Sequence, residues 1–536
     1  MLQINLLYAL PVIAIVLYLY HRLTRNNDYF LSKPIPSLAV KPIFGSVGPL
    51  MLRKVSFAEF IQSIYDKFPN AKIFGMFELT TPVFVLRDPD LIKQLTVKDF
   101  DHFVDHVPSF GSSDYDHPNL VVAKSLFTLT GQKWKNMRAT LSPAFTGSKM
   151  RQMFELIVEC SENTARNFEE EARAKGCAQE YEMKDVFGRF ASDVIATCAF
   201  GIKVDAIKDP KTEFYVTGKK MMNFNRFSIM LRMIGYRMFP ALMARLGIDL
   251  IDAEHNKYFT SLILSAIKDR EDRGVVRPDM INLLIQAKKG QLKHHQEKEQ
   301  NEGFATVQES DVGKAQISST MTDMEMVAQC LIFFLAGFDT VSTCLLFLTY
   351  ELTINPDVQR KLHQEIVETQ ASLGGKSLTY DAMQRMKYMD MVVSEALRMW
   401  PPSPSTDRLC IKDYTVDCGD GLTFTIDKGA GIWLPTHALH HDSKYFPDPE
   451  KFDPERFSDD RRGSINSGAY LPFGIGPRNC IGSRLALAEV KTIVYYLLLS
   501  FSLERSAKTE VPLVLVKGFG DVTPEKGVHL EFRPRK

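Results

Sequence analysis

A cysteine set among glycines, one residue past an arginine and asparagine, is the feature of this chain most able to do chemistry. It lies in Phe473-Gly-Ile-Gly476-Pro-Arg478-Asn-Cys480-Ile-Gly482. Glycines at 474, 476 and 482 let the backbone turn sharply and approach a large flat ligand closely. Ser483 to Leu499 then shows helical periodicity, so Cys480 is expected to open a helix. Unpaired amides and the positive dipole end there favour thiolate over thiol. Amide bonds to that sulfur would also tune an iron bound to it. Arg478 is placed to pair with an acidic group on the same ligand. A buried free cysteine beside a turn is the bland alternative, and it leaves the glycine, arginine and aromatic spacing unexplained.

Three further clusters carry chemistry or hold it in place. In Ala336-Gly337-Phe-Asp339-Thr340, Gly337 lacks a side chain and admits a cofactor or dioxygen closely. Thr340 can loosen the helical ladder and offer a hydroxyl to water, and Asp339 can supply protons. The competing reading has Asp339 capping a kink or pairing with a buried arginine. Glu395-Ala-Leu-Arg398 places a carboxylate and a guanidinium on one helix face, and Asp453-Pro-Glu-Arg456-Phe457 supplies a second arginine. Trp134-Lys-Asn-Met-Arg138 sets two donors one helical turn apart, able to grip a carboxylate.

The elements that must position these residues can be read coarsely. Thr322-Asp-Met-Glu325 is a capping box; apolar residues then dominate to Leu352, and Asn355-Pro356 ends the pattern. Such a helix is about 45 Å long. Glu325, Gln329, Asp339 and Glu351 make it a central buried helix rather than a membrane span. Lys72 to Leu86 reads as a two-stranded hairpin. Gln286 to Thr320 is polar and reads as a mobile surface connection. Met221 to Ile248 reads either as two core helices or as a partly exposed apolar lid touching membrane.

At the N-terminus, Ile4 to Tyr20 carries no charge and is followed by His21, Arg22 and Arg25. That pattern predicts a retained membrane anchor with a cytosolic body, since a basic n-region and a small-residue cleavage site are both missing. The expected organisation is an anchor with its basic stop at 1–25, a proline-rich linker at 26–50, and one catalytic domain at 51–536. A net charge of +1 gives no global argument for nucleic acid. Eight cysteines without a CxxC pair suggest a reducing compartment. The chain has no HExxH, CxxCH, P-loop or Rossmann fingerprint, hence no evident nicotinamide or flavin site, and electrons must arrive from a separate protein.

The cysteine loop resembles the haem-binding signature of the cytochromes P450, and the resemblance runs over essentially the whole chain. It implies a mainly α fold with small β-sheets in one large domain around one haem. By that resemblance Cys480 is the axial iron ligand, and its electron donation favours O–O cleavage. Asp339 and Thr340 become the proton-delivering pair, and Glu395, Arg398 and Arg456 a buried structural network. Trp134, Arg138, Arg408 and Arg478 would bind the haem propionates, with Phe473, Gly482, Ala336 and Gly337 lining the cofactor. The implied reaction inserts one oxygen atom into an apolar small molecule, with NADPH electrons delivered by NADPH–cytochrome P450 reductase and cytochrome b5 as a further donor. The implied location is the endoplasmic reticulum membrane, and the pattern most resembles the broad-specificity branch that handles foreign compounds, including its insect members. Lys133, Lys135, Arg484 and Lys491 are candidates for docking the donor. Expected pocket walls are 103–127, 221–239, 334–338 and 402–406. Rivals are a peroxide-rearranging haem-thiolate isomerase, a haem-based sensor and a structural membrane protein.

Overall fold

A computed structural model describes the chain apart from residues 1–9, 12, 15–16, 19, 22–23, 112–116, 118, 224–225, 292–302, 316–320, 420, 521 and 536. Much of the expected anchor therefore lies outside the described residues. Helices dominate. Those that bear on the site are α1 (Gly131–Leu141), α2 (Gly147–Lys175), α3 (Met183–Cys198), α4 (Phe227–Met238), α5 (Pro240–Arg245), α6 (Asp311–Lys314), α7 (Asp323–Ile354), α8 (Lys387–Met399), α9 (Thr436–His440) and α10 (Ser483–Ser500). Among the described residues three small sheets flank them. One has strand order β1-β2-β4-β3, formed by β1 (Ile73–Glu78), β2 (Thr81–Leu86), β4 (Gly431–Leu434) and β3 (Thr406–Leu409). The β1–β2 pair is the expected antiparallel hairpin.

Helix α7 is the axis of the molecule. Its capping box forms as expected: Glu325 N–H donates to Thr322 Oγ1 at 3.2 Å, and Thr322 N–H donates to Glu325 Oε2 at 2.8 Å. The helix ends at Asn355, before Pro356. Its polar residues explain why a helix this apolar belongs in a protein core. Gln329 is fully buried; it accepts from Leu126 N–H at 2.8 Å and donates to Lys124 O at 2.9 Å. Glu351 accepts from the Trp400 indole at 2.8 Å, and burial pushes its carboxyl up to about 7. A buried polar group without such partners would cost more than it returns.

The two readings of 221–248 are resolved in favour of exposure. Only Ile229 and Tyr236 of α4 and Ala244 of α5 are buried, while Phe227, Leu231, Leu242 and Leu246 are exposed. The expectation of a mobile connection across 286–320 needs correction for its described residues, 292–302 and 316–320 lying outside them. Its first residues complete a buried helix, Met280–Lys288, and residues 303–315 pack onto the body through Ala305, Glu309 and Gly313. Too few large apolar residues are present to drive this packing, so composition misses a segment held by specific polar contacts.

Helix α10 buries Glu489 with its Oε2 unpartnered, and burial alone pushes the carboxyl up to about 8. The native state therefore keeps a proton that the unfolded chain loses near 4.5. Native protein binds more protons between those values, so stability falls as pH rises through that window. Glu489→Gln is expected to remove this loss, adding on the order of 2–4 kcal/mol at pH 8 and little at pH 5. Unfolding midpoints compared at the two pH values check this; an unchanged pH slope would contradict it.

Candidate functional site

The cysteine loop connects the sheet side of the molecule to α10. Gly474 and Gly476 adopt left-handed backbone, at φ 73° and 74°. A side chain on Gly476 would collide with Thr96 O, so close passage of the loop requires glycine there. Cys480 N–H donates back to Phe473 O at 2.8 Å, closing the loop.

Cys480 does not itself open the helix. Gly482 is the N-cap and Ser483 the first helical residue. The sulfur instead receives the Gly482 N–H. Burial pushes the thiol up, against the lowering effect of that amide and of Arg138. The expectation of a thiolate set by helix position alone is thus corrected: among protein atoms the enclosed sulfur favours the thiol, and a bound cation would be needed to draw off its proton. Cys480 is nevertheless surface-accessible. An accessible sulfur enclosed by protein faces an internal void.

Helix α7 presents a second accessible surface. Ala336 and Thr340 are exposed and Gly337 partly so, while Phe338, Asp339 and Val341 beside them are buried. Residues four apart on one stripe of a core helix border a void. Thr340 Oγ1 donates to Ala336 O at 2.5 Å, leaving its lone pairs for a further donor. Asp339 turns away from that stripe. Its Oδ1 accepts from Lys184 Nζ at 2.7 Å, and the same ammonium reaches Thr343 Oγ1 at 2.7 Å and Ser342 Oγ at 3.1 Å. The expected arginine partner is therefore a lysine, from α3. Gly337 has a packing role as well, since a Cβ there would come within 3.0 Å of Ile195 Cδ1.

At one edge of the cysteine loop three guanidiniums gather. Arg478 lies over the Trp134 ring at 4.2 Å and donates to Val104 O at 2.8 Å and Leu129 O at 2.5 Å. Arg408, on β3, donates to Ile475 O at 3.2 Å, and its buried Nε has no acceptor. Arg138 donates to Asn479 O at 2.8 Å and Oδ1 at 2.7 Å. Burial pushes Arg478 down to about 9, with Arg408 and Arg138 adding repulsion, and burial pushes Arg408 down to about 10. Asp105 lies 3.6 Å from Arg478 and Asp407 adjoins Arg408. Glu309 pairs with Arg138 at 2.8 Å, so each guanidinium has a carboxylate beside it, and the unmet donor among them is Arg408 Nε. A flat group bearing carboxylates at one edge and a metal above Cys480 fits this donor set.

Behind the loop, Arg398 Nε donates to Glu395 Oε2 at 2.7 Å and its NH2 to Oε1 at 3.0 Å; Arg456 Nε reaches Oε1 at 3.2 Å. Glu395 and Arg398 are wholly buried and Arg456 nearly so. His440 ends α9 and is fully buried. It joins the network to the cysteine loop: Leu471 N–H donates to Nε2 at 2.8 Å, and Nδ1 lies 3.0 Å from Arg398 O. Burial holds its imidazole well below the usual histidine range, so the ring is neutral. Leu471 occupies Nε2 as acceptor, which leaves Nδ1 as the donor to Arg398 O.

Of the proposed docking cations, Lys491 is buried and bonded to Asp390 at 2.7 Å, so it is withdrawn from any surface, and Lys135 is engaged by Asp101 at 2.6 Å. A cavity of about 230 Å³ lies between α4, the β1–β2 turn and residues 518–520. Phe110, Met230, Met233 and Ile234 from two expected wall segments line it, with Arg237 paired to Glu78 at 2.9 Å. The wall segments 334–338 and 402–406 do not border it.

Residues 35–532 match the protein family described as Cytochrome P450. Cytochrome P450 9e2 of Blattella germanica is 43% identical, over 98% of this chain and 97% of that protein. Probable cytochrome P450 9f2 of Drosophila melanogaster is 40% identical, over 98% and 99%. Cytochrome P450 6k1 of Blattella germanica is 33% identical, over 98% and 96%.

Proposed function

The chain belongs to the cytochrome P450 family and is a haem-thiolate monooxygenase; from that premise we propose which of its residues do the work and where it acts. Cys480 would hold the haem iron through its thiolate. The observation that carries this is its sulfur, accessible yet enclosed, in a loop that three buried arginines border on one side. Arg138, Arg408 and Arg478 hold the two propionates, with Trp134 stacked beneath Arg478. Arg408 Nε gains the acceptor it otherwise lacks. Phe473 and Gly482 shape the loop around the sulfur through the Cys480 N–H bond and the Gly482 amide. Ala336, Gly337 and Thr340, on the accessible stripe of α7, would line the haem on the side away from Cys480.

When bound, haem supplies activation of dioxygen, which with two electrons and two protons yields one hydroxylated product and one water. The protein's part on the far side from Cys480 is proton management. Thr340 spends its own proton on Ala336 O and so would accept from a water. Asp339 is held by Lys184 outside the void and must rotate away from that ammonium to pass a proton inward. Thr340→Ala is expected to lower the fraction of consumed NADPH recovered as product several-fold, with hydrogen peroxide accounting for the difference. Product and peroxide measured against NADPH consumption test this; coupling equal to wild type would contradict it.

Electrons come from NADPH through NADPH–cytochrome P450 reductase, with cytochrome b5 as a second donor. The substrates are apolar small molecules, entering past the apolar walls of the cavity beside α4. Residues 1–25 anchor the protein in the endoplasmic reticulum membrane, 26–50 link, and 51–536 form the cytosolic catalytic domain. The exposed Phe227, Leu231, Leu242 and Leu246 make the α4–α5 surface the face that rests on the bilayer.

A further inference from the structure

Residues 303–314 lie across the face of the molecule behind Cys480. At one end the Phe304 ring sits 5.0 Å from Phe457 and 5.3 Å from Tyr470, and its N–H donates to Asp390 Oδ2 at 2.8 Å. Gly303 leaves no room for a side chain against the same carboxylate. In the middle, Asn479 Nδ2, one residue before Cys480, donates to Gln308 O at 3.1 Å. At the other end Glu309 accepts from Arg138 at 2.8 and 3.0 Å and from Ser142 Oγ at 2.9 Å, with the backbone of α6 pressed close at Gly313. The segment thus bridges α1 to α8 over the residue that precedes the cysteine, and Lys491 lies beneath it, bonded to Asp390.

We propose that residues 303–314 are a latched cover over the cysteine-side face, which an electron-donor protein displaces on docking. The proposal rests on the reading of Cys480 as the iron-binding thiolate, because only then does this face lead to the redox centre. Three observations carry it. The route from the surface to Cys480 through Asn479 passes under the segment. The contacts that hold the segment are mainly polar, with Phe304, Ala305 and Val312 as the apolar anchors. When it leaves, Arg138 loses its carboxylate partner Glu309 but keeps both bonds to Asn479 and, on the proposed reading, a haem propionate, and Lys491 keeps Asp390. A buried charge left with no partner is the usual obstacle to such a movement, and here each keeps at least one. Glu309 on Arg138 is the latch.

The test is hydrogen–deuterium exchange of the full-length, haem-loaded protein with and without NADPH–cytochrome P450 reductase. Amides of 303–314 are expected to exchange at least several-fold faster in the complex. Slower exchange, which would make the segment a landing surface, or unchanged exchange would overturn the proposal. Glu309→Gln supplies a second readout: the reductase Kd is expected to fall three- to tenfold, and the ratio of reductase-driven to cumene-hydroperoxide-driven turnover to rise. A Kd equal to or above wild type would contradict the latch. Failure of the Cys480 reading is separately visible, as a wild-type protein without a thiolate-type carbon monoxide spectrum; a normal spectrum with unaltered exchange removes the cover alone.

Discussion

Arg398→Ala is expected to yield protein that does not retain haem. Arg398 is wholly buried, and it places both arms of its guanidinium on Glu395 while NH1 donates to His440 O at 2.8 Å and NH2 to Pro449 O at 2.8 Å. Truncation leaves the Glu395 carboxylate with Arg456 and the Asp453 amide, deep in the core. Removing one partner of a buried pair costs about 3–5 kcal/mol, a large part of the stability of an ordinary domain. The damage is also directed at the site. The lost NH1 also held the His440 carbonyl, and His440 Nε2 receives Leu471 N–H at the entry to the cysteine loop. Arg398→Lys is expected to fail similarly, because a single ammonium cannot reproduce the forked contact. Haem-to-protein ratio and unfolding midpoint measure the effect; normal haem content in Arg398→Ala would contradict it.

The second large effect is expected from Cys480→Ser, which should abolish dioxygen-dependent turnover while leaving the fold in place. Serine is nearly isosteric, and the Cys480 N–H bond to Phe473 O does not involve the side chain. The hydroxyl, however, is a far poorer anion than a thiolate and donates less charge to a metal. Arg138, Arg408 and Arg478 remain to hold the propionates, so haem is expected to bind without its thiolate ligand. Turnover above a few per cent of wild type in Cys480→Ser would refute the assignment.

What could be read from the sequence divides along the distance between partners. The capping box Thr322–Glu325, the hairpin of 72–86 and the Glu395–Arg398 pair are local patterns, and each forms where spacing placed it. Partners from distant segments carry no such pattern. Lys184 meets Asp339 only because α3 packs along α7, and no residue near either one signals the pair. Glu309 reaches Arg138 from a polar stretch whose composition reads as solvated. His440 carries no local signal of its burial, because a histidine pair has no periodicity of its own; the network behind the cysteine decides it. Cys480 shows the converse. Its glycine-rich loop was legible from spacing, but its electrostatics were not, since enclosure by distant elements raises the thiol against the nearby amide.

The central claim is that Cys480 delivers a thiolate to haem iron. It is tested most directly by the absorption spectrum of the reduced, carbon-monoxide-bound wild-type protein, recorded beside Cys480→Ser. A strongly red-shifted Soret band in the wild type, absent from the variant, is the expected result. A histidine-like band in the wild type, or folded protein that binds no haem, would contradict it.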